Sequence, residues 1–258
     1  MILEGLFLIA VVIAVCVIVY RGAIHEFQIL QKDYNPENDW STPLSEQLPI
    51  IIRDLPKHLL GGWTLGKTGN KQWIVYVRDA EKRRLRTTWT EWLKAPELSP
   101  DNWSELATVA RLDRAVQDWS TESIRRWSWL PPTVPRPYVL PADKWLGVSK
   151  TRSEFTAIVA TDQAPILIWV AHEGAVPLKV ADQLTGKNPW NETTDTIPWI
   201  SEVKFIEIKL RPGNAVLLPK HWWYAVSANE GNAWFWIAQF HTPISWIVSS
   251  VGTNKEQK

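Results

Sequence analysis

The chain has 258 residues, with 28 Lys and Arg against 27 Asp and Glu, and a single cysteine. Its 45% hydrophobic content excludes a disordered chain, and its net charge of +1 excludes the strongly basic surface of a nucleic-acid binder. One cysteine excludes an internal disulfide framework and a cysteine-rich zinc site. The 18 tryptophans indicate many buried rings, or rings presented to a partner.

An uncharged apolar segment lies near the start of the sequence. Residues 5–20 read GLFLIAVVIAVCVIVY, and extension to residue 2 adds one acid, Glu4. About 20 residues at ~1.5 Å each cross the hydrocarbon core, so we predict a transmembrane helix over residues 2–21 that binds a lipid bilayer. A cleaved signal peptide is disfavoured because no Lys or Arg precedes the segment. Arg21 and Lys32 follow it, which predicts a single-pass protein with a cytosolic C-terminal domain.

The next part of the chain predicts a linker and then an α/β unit. Residues 22–47 include a polar, turn-rich stretch and form the predicted juxtamembrane linker. Residues 130–141 hold five prolines and predict an extended connector. We interpret residues 48–140 as an α/β N-terminal extension. Its predicted elements are strands at 48–53 and 72–77, a helix capped by Thr88 or Thr90, and a helix that begins at Ser99 with Pro100 in its first turn.

From residue 141 onward the pattern is that of an all-β protein. Short apolar or alternating runs are separated by Gly and Pro turns, which is typical of a sandwich or barrel. We therefore predict a barrel over residues 141–250 and a disordered polar tail over 251–258. The predicted strands cover residues 155–160, 165–170, 175–180, 205–210, 215–218, 222–226 and 233–240.

Single motifs do not identify an active site. Residues 61–68 satisfy the phosphate-loop pattern G-x-x-x-x-G-K-T, but a predicted strand follows them and no helix N-terminus is available to hold phosphates. The five histidines include no i, i+4 pair of the kind found on zinc-binding helices, and no serine lies in a G-x-S-x-G elbow. His172 and His221 lie in predicted turns, where a lone histidine is more typical of surface or stacking residues than of metal ligands.

Closely spaced aromatic residues allow two interpretations. Alternating tryptophans on an extended strand share one face, which suits packing in a core. The same rings would suit an exposed surface that binds a protein partner. The candidate partner-contact residues are Trp127, Trp129, Trp222, Trp223, Trp234 and Trp236.

The segment 208–226, IKLRPGNAVLLPKHWWYAV, resembles the cupin-like branch of the jumonji-C family. That family carries a strand, a Pro-Gly-Asp turn, a strand ending in proline, and then Gly-Trp-Trp-His-x-Val. Residues 49–53, 145–147 and 165–180 resemble further family segments in the same order, and the similarity covers roughly residues 23–248. The resemblance implies a mainly β fold with an α/β N-terminal extension, in which a double-stranded β-helix forms a cupin or jelly-roll barrel behind the transmembrane helix.

The enzymes of this family are Fe(II)/2-oxoglutarate oxygenases, whose iron is held by two histidines and one carboxylate. Tyr224 occupies the position of the distal histidine, and the His-x-Asp position falls within residues 159–163, where Asp162 is the one potential ligand. Val176 occupies the position of the lysine that binds 2-oxoglutarate. The resemblance therefore implies a degenerate site with no catalytic residue, no metal and no cofactor.

These observations predict a membrane-anchored, catalytically inactive cupin-like domain that acts as a structural or interaction module for protein partners. By analogy, such a domain suits a large DNA virus, as a minor virion component that ties an inner membrane to capsid proteins. Two alternatives stay open. One is a Fe(II)/2-oxoglutarate-dependent hydroxylase or demethylase whose rearranged metal site recruits His172 or His221. The other is a small-ligand or glycan binder with tryptophans around the barrel mouth.

Overall fold

The part of the chain that the computed structural model describes is mainly β, with antiparallel sheets and one short α-helix with described ends. It describes residues 11–12, 28–35, 46–60, 74–78, 83–88, 91, 99–100, 112, 115, 135–161, 164–228, 230–243 and 245. The strands are β1 Leu30–Asp33, β2 Ile50–Arg53, β3 Ile74–Arg78, β4 Arg84–Thr88, β5 Ser99–Pro100, β6 Arg136–Leu140, β7 Trp145–Lys150, β8 Phe155–Ala160, β9 Ile166–His172, β10 Ile206–Leu210, β11 Ala215–Pro219, β12 Trp222–Ala228 and β13 Ala233–Phe240. Helix α1 is Leu178–Leu184, and short 3-10 helices are Lys57–Leu59, Glu173–Ala175 and Ile200–Glu202.

Six strands form the larger sheet, in the order β1-β2-β11-β8-β13-β6. All of its pairs are antiparallel except β1 with β2. The central strand β8 is buried along its whole length, and its Ile158 lies opposite Val216 of β11 and Ile237 of β13. A strand with neighbours on both sides and side chains packed on both faces accounts for the continuous apolar run in the sequence.

The second sheet has four antiparallel strands in the order β10-β9-β12-β7. In its central pair, Val170 of β9 lies opposite Tyr224 of β12, and His172 lies opposite Trp222. The strands β4-β3-β5 form a separate three-stranded sheet from the region predicted as the N-terminal extension.

The two larger sheets face each other across a common core. Side chains from both sheets fill this space, among them Ile158 and Phe235 from one sheet and Ile168 and Val226 from the other. The alternation of the strands sends the remaining side chains to the outer faces. Those of the six-stranded sheet pack in a second cluster, and those of the four-stranded sheet pack in a third cluster with helix α1 through residues such as Val180.

Most strands predicted from the sequence are confirmed, although one predicted strand and the start of one predicted helix are wrong. Residues 175–180 were predicted as a strand, but Glu173–Ala175 is a 3-10 helix and Leu178–Leu184 is helix α1, which begins after Pro177. Ser99 and Pro100 were predicted to start a helix. They form β5 instead, because they pair with Arg78 and Val77 of β3.

Two finer predictions in the extension have clear outcomes. Thr88, one of the two predicted caps, makes the contacts of a cap with the helical residue Glu91: its hydroxyl accepts from the Glu91 amide at 3.2 Å, and its own amide donates to the Glu91 carboxylate at 3.0 Å. This reciprocal pair is a capping box. The predicted proline-rich connector ends in β6, which lies at the edge of the six-stranded sheet. There Arg136 pairs with Ile237 of β13, and Leu140 pairs with Ala233.

One close backbone approach fixes how the segment after α1 meets β7. A Cβ atom added to Gly147 would lie 2.6 Å from the carbonyl oxygen of Gly186 and 2.8 Å from its Cα. The amide of Val148 donates to the Lys187 carbonyl at 3.0 Å, and the Gly186 amide donates to the Val148 carbonyl at 2.9 Å. Only glycine at position 147 lets the two backbones come this close.

Within the residues that the structure describes, no helix has the length and apolar character needed to cross a membrane. The predicted transmembrane segment, residues 2–21, lies outside the described residues except for Val11 and Val12, which are helical and exposed. The tail at 251–258 and the glycine-rich residues 61–68 also lie outside the described residues.

Candidate functional site

Tyr224, which the resemblance aligned with the distal metal ligand, lies in the core between the two larger sheets. Its side chain is 6% exposed and packs with apolar residues of both sheets. Burial raises the pKa of the Tyr224 phenol, and the nearby Tyr138 raises it further, while a hydrogen bond with Ser149 opposes this only in part. The phenol is therefore neutral at physiological pH, and this position offers a packed, uncharged group.

Of the other two positions inferred from the resemblance, Val176 does not join Tyr224 in this core, and Asp162 is not among the described residues. Val176 is buried in the third cluster, on the outer face of the four-stranded sheet. It lies there because β9 ends at His172 and the chain then crosses over the outside of the sheet through Glu173–Ala175 and α1. Asp162 lies outside the described residues, so its relation to Tyr224 stays a prediction. The strands that the structure places beside Tyr224 are β7, through Ser149, and β9, through Val170.

The tryptophans singled out as candidate partner contacts are buried wherever the structure describes them. Trp222, Trp223, Trp234 and Trp236 are between 0% and 5% exposed. The indole nitrogen of Trp222 donates to the Gln47 carbonyl at 3.3 Å, and that of Trp236 donates to the Leu60 carbonyl at 3.2 Å. These four rings are core residues in the chain as described and offer no surface to a partner.

The remaining two of these tryptophans, Trp127 and Trp129, lie outside the described residues. Whether they contact a partner stays a prediction.

Polar side chains from three strand ends meet at one end of the four-stranded sheet. Glu173 follows β9, Lys150 ends β7, and His221 precedes β12. The carboxylate of Glu173 accepts from the Lys150 ammonium and lies 2.8 Å from Nδ1 of His221. His172 packs edge-on against the Trp222 ring at 5.4 Å between centroids, and its Nδ1 accepts from the Gly174 amide at 3.1 Å. The sequence predicted stacking or surface positions for these histidines. His172 packs against Trp222, and His221 is exposed.

The pKa values in this cluster follow from its contacts. Burial alone would raise the pKa of the Glu173 carboxyl, but the hydrogen bonds and positive charges of Lys150 and His221 outweigh it, and the pKa is lowered. Burial and the neighbouring His221 lower the pKa of His172. Both shifts favour an ionised Glu173 beside a neutral His172, in a network whose polar atoms already bond to one another.

Groups of His, Cys, Asp and Glu side chains are the basis for a metal site. Among the described residues, no group of three or more such side chains has positions that would hold a metal ion. His172, Glu173 and His221 are neighbours, yet the ring atom Nδ1 of each histidine and the carboxylate oxygens of Glu173 are engaged within the network described above.

A cleft of about 490 Å³ opens on the outer face of the four-stranded sheet. Its floor includes Trp169 of β9 and Glu207 of β10, which lie opposite each other, and the indole nitrogen of Trp169 donates to Glu207 Oε2 at 2.8 Å. Trp169 contacts Trp190 with ring centroids 4.5 Å apart and Phe205 at 5.5 Å. The remaining walls come from the segment between α1 and β10: Pro189, Glu192, Thr193, Thr194, Ile200, Ser201 and Val203.

An exposed apolar surface lies on the same segment as the cleft. Trp199 is 50% exposed and directly precedes Ile200 and Ser201 of the cleft wall, and Leu178 at the start of α1 is 85% exposed. Trp199 has a left-handed backbone with φ of 73°, which costs energy for a bulky residue. Lys179 lies over its ring at 5.1 Å.

Sequence reasoning did not identify Trp169, Trp199 or the cleft. The aromatic clusters drew attention to paired tryptophans, whereas these two are single residues with ordinary neighbours. The segment over 185–204 carries no apolar period that would mark one face. Only the fold separates an exposed indole such as Trp199 from the buried Trp236.

In comparisons with known proteins, no protein-family model matches the chain and no curated protein matches it. Function is therefore inferred from the fold and the geometry of these sites.

Proposed function

We propose that this chain is a non-catalytic interaction module, built on a double-stranded β-helix and held at a membrane by its N-terminal segment. The outer face of its four-stranded sheet docks a protein partner. By analogy, this role suits a component that ties an inner membrane to the capsid of a large DNA virus. The observation that carries the proposal is Trp199, a half-exposed indole in a strained backbone conformation beside a cleft.

The order of the last eight strands supports the scaffold. In sequence, β6, β8, β11 and β13 belong to the six-stranded sheet, and β7, β9, β10 and β12 belong to the four-stranded sheet. The chain thus passes between two facing antiparallel sheets at almost every connection, as jelly-roll barrels do. The resemblance of residues 208–226 to cupin-like domains agrees with this topology.

The residues between the sheets support a role other than oxygenase chemistry. Enzymes of the resembled family place two imidazoles and a carboxylate on the inner face of the barrel. Here Tyr224 is a neutral phenol at the corresponding position, and side chains such as Ile168, Val226 and Phe235 pack around it in the same cluster. Apolar packing of this kind stabilises a scaffold, and among the described residues no group of three or more His, Cys, Asp or Glu side chains is placed to hold a metal ion.

The outer face supports binding. A large apolar side chain that stays in water does not stabilise the fold. A non-glycine residue with φ near 70° lowers the free energy of unfolding by about 1–2 kcal/mol. Strain and exposure together are typical of functional positions. Leu178 is exposed directly before Lys179, whose ammonium lies over the Trp199 ring, and the third cluster anchors this region to the sheet through Val180, Leu184 and Ile197.

Site-specific photo-crosslinking tests this proposal. The full chain carries a photo-reactive phenylalanine derivative at position 199 or 178, in the membrane where it is expressed. Position 85 is the matched control, because Leu85 is an exposed leucine on the separate three-stranded sheet. We expect one discrete adduct from positions 199 and 178 and none from 85. Equal labelling from all three positions, or no adduct from 199, would overturn the proposal.

A further inference from the structure

The cleft beside Trp199 has a distinctive chemistry: its charged side chains are acidic and its floor is aromatic. Glu192 and Glu207 are the two charged residues of its lining, and Trp169 and Phe205 are its two aromatic residues. From this combination we propose that the cleft receives a lysine or arginine side chain presented by the docked protein partner. This inference rests on the proposed interaction function and names the chemistry that the partner must offer.

The charge of the cleft favours a cation. Glu207 accepts one bond from the Trp169 indole through Oε2, and a carboxylate has capacity for further donors. Lys209, on the same face of β10, contacts Glu230 rather than Glu207. Lys179 lies over the Trp199 ring. These two nearby ammonium groups therefore have other partners, and the acidic pair in the cleft complements a basic group from outside the chain.

The aromatic rings of the cleft are a second feature that attracts a cation. The face of an indole carries negative electrostatic potential, which attracts ammonium and guanidinium groups within about 6 Å of the ring. Trp169 packs against both Trp190 and Phe205. These contacts fix the orientation of the Trp169 ring in the cleft floor before a ligand binds. Rings combined with carboxylates discriminate a cation from a neutral group of the same shape.

The shape of the cleft suits a side chain from a partner. Its volume of about 490 Å³ lies within the usual range for ligand sites of 300–1,000 Å³. Trp199 and the cleft-wall residues Ile200 and Ser201 are consecutive. A partner that buries the exposed Trp199 indole would therefore stand over the cleft, where one of its basic side chains can enter.

An arginine peptide and its citrulline copy test the charge directly. Citrulline has nearly the shape of arginine without its charge. We measure binding of both peptides to the full chain in detergent micelles by calorimetry. We also follow the indole N–H resonance of Trp169, assigned with Trp169→Phe, since this group donates to Glu207. The proposal predicts that the arginine peptide binds about tenfold more tightly than the citrulline peptide and shifts this resonance.

Charge-removing variants locate the site. Glu207→Gln keeps an acceptor for the Trp169 indole and removes only the charge, and Glu192→Gln does the same on the wall. Each should weaken arginine binding by about tenfold, and raised salt should weaken it further. The matched control is Glu202→Gln, because Glu202 is exposed in the same segment but does not line the cleft.

The outcomes separate this inference from the proposed function. Equal binding of the arginine and citrulline peptides, or an equal effect of the Glu202 control, would overturn the cationic ligand. Binding of a neutral oligosaccharide that survives both cleft variants would overturn it as well. If the crosslink from position 199 persists in such a case, the interaction function stands and only the assigned ligand chemistry is wrong.

Discussion

Ser149 of β7 stands directly opposite Tyr224 of β12 at the inner face of the four-stranded sheet, and its hydroxyl partly offsets the rise in the pKa of the Tyr224 phenol. Val170 of β9 flanks Tyr224 on its other side. The phenol therefore lies in a continuous packed layer between the two larger sheets.

Truncation of Tyr224 tests whether the space between the sheets is a packed core. Tyr224→Phe removes only the hydroxyl and should lower the free energy of unfolding by about 1 kcal/mol. Tyr224→Ala leaves a cavity and should lower it by about 3–5 kcal/mol. Urea titration of the full chain in detergent, followed by circular dichroism, measures both. A small effect of the alanine variant would mean that the ring lines open space instead.

Gly147→Ala tests the close approach of β7 to the segment after α1. The new Cβ would lie 2.6 Å from the Gly186 carbonyl oxygen, and the contacted atoms are backbone that cannot rotate away. The substitution should lower the free energy of unfolding by about 1–3 kcal/mol, as overpacking does. Lys144→Ala, at an exposed position just before β7, is the control and should stay within ~0.5 kcal/mol. Equal stability of the two variants would contradict the geometry.

The half-buried His172 and the buried His241 predict lower stability in mild acid. Burial lowers the pKa of His172 and of His241, so the folded state binds fewer protons than the unfolded state. Their contribution to stability is present above the ordinary histidine pKa of about 6.5 and is lost as pH falls below it. His172→Asn keeps an acceptor for the Gly174 amide and should flatten the decline between about pH 6.5 and 5.

The control for this prediction is His58→Asn. His58 is exposed, so its removal should leave the pH dependence of unfolding unchanged. A wild-type curve that stays flat through this range, or an equal flattening by the His58 variant, would be inconsistent with burial of a neutral His172.

The network of Lys150, Glu173 and His221 should contribute little to stability despite its short contacts. Their side chains are 26%, 42% and 51% exposed, so water and salt screen their charges. Glu173→Gln should change the free energy of unfolding by less than about 1 kcal/mol. Glu154→Gln, which alters the longer Lys220–Glu154 contact of 3.4 Å, is the matched comparison. A much larger loss for Glu173→Gln would indicate a structural role that its exposure does not support.

Much of the β architecture was predictable because apolar and alternating runs carry the period of a strand. The runs at 155–160, 206–210 and 233–240 became strands of the two larger sheets. The prediction of a strand over residues 175–180 was wrong although valines favour strands locally. A helix begins after Pro177, and the two valines pack on the outer face of the sheet. The local strand preference of a residue does not determine which element it forms in the folded protein.

The binding surface was less predictable than the fold. Residues far apart in sequence, such as Trp169 and Glu207, meet only because β9 and β10 pair in a particular register. The exposure of an aromatic ring depends on what covers it, so composition could not separate Trp199 from Trp222. The resemblance singled out Tyr224, but its neighbour Ser149 could be found only from the pairing of β7 with β12.

The most direct test of a non-catalytic barrel is turnover of 2-oxoglutarate by the full chain. The purified protein in detergent is supplied with Fe(II), ascorbate and 2-oxoglutarate, and succinate release is measured beside retained iron. Since Tyr224 and its neighbours offer a neutral phenol and apolar groups, we expect succinate at the level of a protein-free sample and only substoichiometric iron. Retention of one iron per chain with succinate release above that level would contradict the account and indicate an oxygenase.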